Sequence, residues 1–193
     1  MSFSPMNISK HWLIISIGLA IAVVSTSAIA HIKKVSVDTQ ALFHNPKAIP
    51  NTVIIDKVFV DKSARTLQLL SNNEVIKSYR IALGDSPVGH KQQEGDQRTP
   101  VGIYNLDCRN ENSIAHRSIH ISYPNAANKA QAEALGVNPG GDIMIHGQMN
   151  GFGHLAWINQ KSDWTDGCIA VANDEMDEIM DTVALGIPIE IVE

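Results

Sequence analysis

Two short stretches carry residue types that can do acyl chemistry: Ile143-Met144-Ile145-His146-Gly147 and Asp163-Trp164-Thr165-Asp166-Gly167-Cys168-Ile169-Ala170-Val171. A thiol is a strong nucleophile only as the thiolate, and at an ordinary pKa of about 8.5 little of it is ionised at neutral pH. It therefore needs a base or a cationic partner, and an imidazole supplies either. Gly167 ahead of Cys168 permits a tight backbone turn, so that amide N–H groups can face the sulfur and hold a developing oxyanion. His146 closes an apolar run that reads as a strand, which would present the ring from a rigid support. Taken singly, a small apolar cysteine and a strand-end histidine are ordinary core and rim residues. Together with the glycines they point to a Cys–His pair.

Length and composition bound what surrounds that pair. A chain of 193 residues, 44% of them hydrophobic, suffices for one domain with a real core plus a short extra segment. Net charge is -5, with both signs scattered and no basic run beyond Lys33-Lys34. Nucleic acid is thereby disfavoured as a partner, because phosphate binding needs concentrated positive charge. Two cysteines, Cys108 and Cys168, are too few for a disulfide framework and leave only their mutual pairing open. Residues 1–30 read as a targeting segment: Lys10, then an uncharged run from Trp12 to Ala30 ending in Ala28-Ile29-Ala30. This is the order of a secretory signal. The same run approaches the ~20 residues of a membrane anchor, which would leave a membrane contact through residues 12–30. Either way the rest of the chain lies outside the cytoplasm.

The elements that must position the pair follow from periodicity. Residues 31–51, with Pro46 and Pro50, read as a linker or loosely docked arm, and 52–193 as the catalytic domain. Strands are expected at Val53-Ile54-Ile55, Val58-Phe59-Val60, Thr66 to Leu70 and Val75 to Leu83. In the last of these Tyr79, Ile81 and Leu83 form the buried face and Ser78, Arg80 and Ala82 the wetter one. From Gly84 to Gly102 glycines and prolines break any regular element, as in long functional loops. Ala127 to Leu135 reads as a helix stopped by Gly136, and Asp142 to Ile145 as a short strand. Asn173 is expected to cap a helix with Met176, Ile179, Met180 and Val183 on one face, and Ile187 to Val192 to form a closing strand.

Three motifs in order carry a family resemblance over nearly all of residues 53–193. Gly95-Asp96-Gln97-Arg98-Thr99-Pro100-Val101-Gly102-Ile103-Tyr104 is the first. His146-Gly147, a spacer and Thr165-x-Gly167-Cys168 form the second. Ile121-Ser122-Tyr123-Pro124-Asn125, Gly140-Gly141-Asp142 and Trp164 to Val171 form the third. The first two resemble the L,D-transpeptidases (YkuD-type), the cysteine enzymes of peptidoglycan cross-linking, and the third resembles one proteobacterial branch of that family. The resemblance implies a mainly β fold with short helices, an L,D-transpeptidase-like β-sandwich. It implies Cys168 as nucleophile, His146 as general base, Gly147 as the carbonyl orienting the imidazole, and Gly167 and Cys168 N–H groups as the oxyanion hole. The thiolate would attack a stem peptide between its diamino acid and D-alanine, and the thioester would pass to an amine; no metal or organic cofactor is involved. Arg98, Arg109, Tyr123, Thr165 and Trp164 are the substrate-binding candidates.

Two positions depart from the commoner pattern: Asp166 stands where most members have His, and Ala170 where many have a polar or basic residue. Asp166 reads either as a surface turn residue or as a charge that opposes thiolate formation. Other readings are a hydrolase using the same acyl-enzyme, a zinc enzyme built on His116, His120, His146 and His154, and a wall-binding module without catalysis. Ser118-Ile119-His120-Ile121-Ser122 alternates like a strand, which separates two of those histidines.

Overall fold

A computed structural model describes residues 48–193. The signal or anchor reading of residues 1–30 and the linker reading of 31–47 fall outside the described residues. Of the remaining linker residues, Ile49 is buried in the core, and its N–H donates to Glu178 Oε1 at 3.2 Å. The same carboxylate takes the Tyr79 hydroxyl at 2.9 Å and Lys77 Nζ at 2.9 Å.

Eight strands form the body: β1 (Lys57–Asp61), β2 (Thr66–Ser71), β3 (Glu74–Arg80), β4 (Gly102–Ser113), β5 (His116–Ile121), β6 (Met144–His146), β7 (Ile169–Ala170) and β8 (Pro188–Val192). Three helices accompany them: α1 (Ala126–Leu135), α2 (Ala156–Asn159) and α3 (Asn173–Thr182). The hydrogen-bonded order is β3-β2-β1-β8-β4-β5-β6-β7. Strand β4 belongs to both halves, its first residues pairing with β8 and its later ones with β5. Pairing is antiparallel except for β1 with β8 and β6 with β7. Beyond β3, Ala82 bridges to Ala170 of β7, so the two ends of the order meet. The fold is thus the mainly β sandwich that the resemblance implied.

One face of each strand fills a common core. Val58, Val60, Leu67, Leu69, Ile119, Ile121, Ile145, Ile169 and Ile189 are fully buried there, with Met176 and Ile179 of α3. Each such side chain contributes about 1.5–3 kcal/mol relative to exposure. Three local expectations shift. Val53-Ile54-Ile55 precedes the first rung, Lys57↔Leu70, and is no strand; Ile54 is exposed and only Ile55 is buried. Ala82 is buried, since its bridge to Ala170 covers the face expected to be wet. The cap of α3 is Ala172, whose N–H donates to Glu175 Oε2 at 2.9 Å, and Asn173 is the first helical residue.

Where β3 runs on toward the site, Gly84 has no room for a side chain: a Cβ there would lie 2.1 Å from Gln97 O and 2.8 Å from Gly167 N. Gly84→Ala should therefore cost about 1–3 kcal/mol, read by urea denaturation, because three backbones must part to admit one methyl. An unchanged midpoint would show that this contact yields freely.

Candidate active site

The turn that carries Cys168 is tied down from several sides. Asp163 accepts Arg65 Nε at 3.0 and 3.1 Å and Nη2 at 2.7 Å, and it also accepts the Leu83 N–H at 2.9 Å. The Leu83 carbonyl in turn accepts the Trp164 and Thr165 N–H groups, both at 2.9 Å. The Thr165 hydroxyl donates to Cys168 O at 2.8 Å and accepts the Gly167 N–H at 3.2 Å, closing the turn from within. Gly167 has φ +118°, and a Cβ on it would stand 2.6 Å from Arg98 O, so only glycine fits. Its carbonyl accepts the fully buried Thr99 hydroxyl at 2.9 Å. The Gly95–Tyr104 motif is thus a brace for the cysteine turn. Its own shape is held by Asp96, which accepts Lys91 Nζ and the N–H groups of Gln92, Gln93 and Arg98.

His146 ends β6 and is buried. Its Nδ1 lies 2.6 Å from Gly147 O. A carbonyl only accepts, so Nδ1 carries the proton and the neutral ring keeps its lone pair on Nε2. The Trp164 ring meets the imidazole edge-on at 5.7 Å. Burial holds His146 below the ordinary imidazole range, partly offset by the Gly147 bond, so the ring is neutral at neutral pH and competent as a base.

Cys168 immediately precedes β7. The parallel rungs Ile145↔Ile169 and His146↔Ala170 send Ile145 and Ile169 into the core. His146 and Cys168 therefore share the other face, two residues apart along neighbouring strands. The half-exposed thiol donates to Asp142 O at 3.5 Å. Burial pushes the thiol up; the Met144 N–H pulls it down, the Asp166 and Asp142 carboxylates raise it further, and Lys91 opposes them. Both groups thus favour their neutral forms. Their resting forms are accordingly the thiol and the neutral imidazole.

The remaining candidates divide. Trp164 and Thr165 are at the site, one against the imidazole and the other inside the turn. Arg98 meets Gly167 through its backbone, while its guanidinium passes Gly89. Arg109 is not brought to the site: it sits opposite core-facing Ile119 and donates to the Val183 carbonyl beyond α3. Tyr123 is buried, its hydroxyl donating to Pro139 O at 3.1 Å, and burial pushes it up to about 12, so it supports a loop rather than meeting a ligand. The expected Gly167 oxyanion donor is also corrected, since that N–H is committed to Thr165 Oγ1. The Cys168 N–H, by contrast, has no acceptor among the described residues. His116 pairs with Asp177 and His120 with Asp107, so the histidines weighed as zinc ligands are engaged separately. Cys108 and Cys168 are both free thiols. A cavity of about 490 Å³ beside α3 is lined by Lys77, Tyr79, Glu175 and Glu178 and includes neither His146 nor Cys168. Sequence reasoning missed Asp142 as the thiol's acceptor and gave Thr99 no role of its own. The second had a signal in its motif; the first depends on a carbonyl, which no side chain reveals.

Residues 55–191 match the L,D-transpeptidase catalytic domain (YkuD). The chain belongs to this family. YafK of Escherichia coli (strain K12) is 32% identical over 109 residues, covering 53% of this chain and 42% of that protein. The helical cell shape determining protein Pgp2 of Campylobacter jejuni has a similar fold, with TM-score 0.56 and 23% identity over 74% of this chain and 49% of that one. Bd1075 of Bdellovibrio bacteriovorus follows, with TM-score 0.52 and 22% identity over 75% and 50%. The chain spans half or less of the length of each. These likenesses support the mainly β architecture, with the short helices, as an L,D-transpeptidase fold.

The Asp166 side chain is exposed, and its charge bears on the sulfur. Asp166→Asn removes that charge at nearly constant size, so the pH midpoint for iodoacetamide labelling of Cys168 should move to lower pH. A midpoint that stays in place would make Asp166 a turn residue only.

Proposed function

We propose that this chain is a peptidoglycan L,D-transpeptidase in which Cys168 is the nucleophile and His146 its general base. The observation that carries the reading is the Nδ1–H bond from His146 to Gly147 O, which leaves Nε2 as the basic nitrogen on the face that His146 shares with the half-exposed thiol. In the first half-reaction Nε2 takes the thiol proton as Sγ bonds to the carbonyl carbon between the diamino acid and D-alanine of a stem peptide. The negative charge that develops on the carbonyl oxygen is met by the Cys168 N–H. Collapse breaks the C–N bond, the imidazolium returns its proton to the leaving amine, and a thioester remains. In the second half an acceptor amine gives a proton to Nε2 as its nitrogen attacks the thioester, and the thiol leaves reprotonated. No metal or cofactor enters either half.

Water in place of the amine would give hydrolysis through the same acyl-enzyme. The Asp142 and Asp166 carboxylates, both acting on the sulfur, favour approach of an amine, which arrives as a cation, over an anionic partner. Substrate and reaction together imply work on stem peptides in the cell envelope, reached by export or by an anchor through residues 12–30. Among the described residues no helix is long and apolar enough to cross a membrane. A part in cell shape, as the name of Pgp2 states for that protein, is consistent with wall cross-linking.

The test is intact-protein mass spectrometry with disaccharide-tetrapeptide as donor, with products followed in the presence and absence of an acceptor stem. Cys168→Ala should lose the acyl adduct and lower turnover by at least about three orders of magnitude while the fold is kept, since a half-exposed thiol adds little packing. His146→Ala should cost about as much, because the two act as a unit. Undiminished turnover in Cys168→Ala would end the mechanism.

A carbapenem presents the same kind of acyl electrophile as the stem and, from the family resemblance, should leave a stable adduct on Cys168. Alkylation of Cys168 without any carbapenem adduct would mean that the site does not recognise stem-like donors.

A further inference from the structure

We propose that Asn173, at the start of α3, is a positioning residue that fixes the proton-bearing nitrogen of His146 by holding the intervening Gly147–Gln148 peptide. The inference rests on the reading of His146 as the base. The peptide is planar and trans, so its C=O and N–H point in opposite directions and move as one body. At one end Gly147 O accepts His146 Nδ1–H at 2.6 Å, and at the other the Gln148 N–H donates to Asn173 Oδ1 at 2.8 Å. Fixing the N–H therefore fixes the carbonyl, and the carbonyl selects the tautomer that leaves Nε2 free. Bonds in such a series also polarise one another, which makes Gly147 O a better acceptor.

The surroundings are shaped to the carboxamide. A Cβ on Gly147 would lie 2.8 Å from Asn173 Oδ1, and one on Gly153 2.5 Å from Asn173 Nδ2, so the side chain sits in a slot between two backbones that only glycines leave open. Gln148 itself is fully buried and pinned, donating to Val171 O at 2.8 Å and accepting from Asn159 Nδ2 at 3.0 Å. Helix capping does not account for Asn173, because Ala172 is the cap and Glu175 satisfies its N–H. An asparagine is suited to the slot by its oxygen for Gln148 and its flat shape between the glycines.

The test reads the imidazole directly and needs no substrate, so it stands apart from whether the chain transfers acyl groups. In the full chain, labelled with ¹⁵N in histidine, the neutral His146 ring should show a single tautomer protonated on Nδ1. Asn173→Leu fills the slot without an acceptor and should give a mixture of tautomers. Where turnover is measured, kcat should fall about tenfold to a hundredfold with KM little changed, as when the partner that orients a catalytic histidine is lost. Asn173→Asp keeps an acceptor oxygen in place and should retain the single tautomer and most of kcat. A folded Asn173→Leu protein with the parent tautomer would overturn the proposal, leaving Asn173 a packing residue. Should the leucine variant not fold, Asn173→Ala carries the same expectation, and a parent ring protonated on Nε2 would overturn the proposal without any variant.

Discussion

Backbone packed on backbone, with no space for a side-chain carbon, is the constraint on which the site depends. Gly84 lies against Gln97 O and Gly167 N, and Gly167 lies against Arg98 O, so three segments far apart in sequence meet within one atomic layer. Gln97, whose carbonyl meets Gly84, takes the left-handed conformation (φ 56°), as does Asp142 (φ 55°), whose carbonyl accepts the Cys168 thiol. Each polar backbone group exposed by such crowding needs a partner, and the partners are the residues of the motifs. Thr99 takes the Gly167 carbonyl, Thr165 takes the Gly167 N–H, and Asp163 takes the Leu83 N–H. The result is a cysteine held by its main chain, whose side chain keeps one weak hydrogen bond, to Asp142 O.

That dependence explains what the sequence reveals and what it hides. The candidate site is legible in the sequence because it rests on residue types: a Gly-Cys turn, a strand-end His-Gly and a Thr-Pro segment can be seen without a structure. The core was legible because Tyr79, Ile81 and Leu83 alternate and Met176, Ile179 and Met180 recur at helical spacing. Arg109 lies away from the site because a charge in a sequence says nothing about which sheet face it occupies. Strand register decides that, and register comes from long-range pairing such as Arg109↔Ile119. Ala82 misled for a related reason, since its wet face is covered by a strand nearly ninety residues on. Asn173 looked like a cap because Asn at a helix start usually is one. Its carboxamide is instead drawn off by the Gln148 N–H, a competition that local sequence does not show.

The electrostatics follow from the same packing. A Cys–His pair can rest as an ion pair only where the surroundings solvate both charges. Here His146 is enclosed by β6, the Trp164 ring and the Gly147 peptide, and burial raises the cost of charging either partner. With Asp142 and Asp166 adding negative charge near the sulfur, a resting thiolate is disfavoured twice over. A neutral pair is a slower nucleophile in the absence of substrate, but it is also less open to oxidation and stray alkylation, since the thiolate is the reactive form.

The neutral resting state also assigns the two acids a part in the order of events. A cationic group brought close to Asp142 and Asp166 screens their effect on the sulfur and so favours ionisation at the moment of binding. In the proposed mechanism an incoming amine attacks in its neutral form, having shed its ammonium proton to water, and a neutral His146 ready to take the second proton as the C–N bond forms is what the Nδ1–H bond to Gly147 preserves. In that proposal the same Nε2 serves both half-reactions, first for the thiol and then for the amine. Its orientation is needed twice per turnover, which is why a buried, peptide-held imidazole suits this chemistry better than a mobile one on a loop.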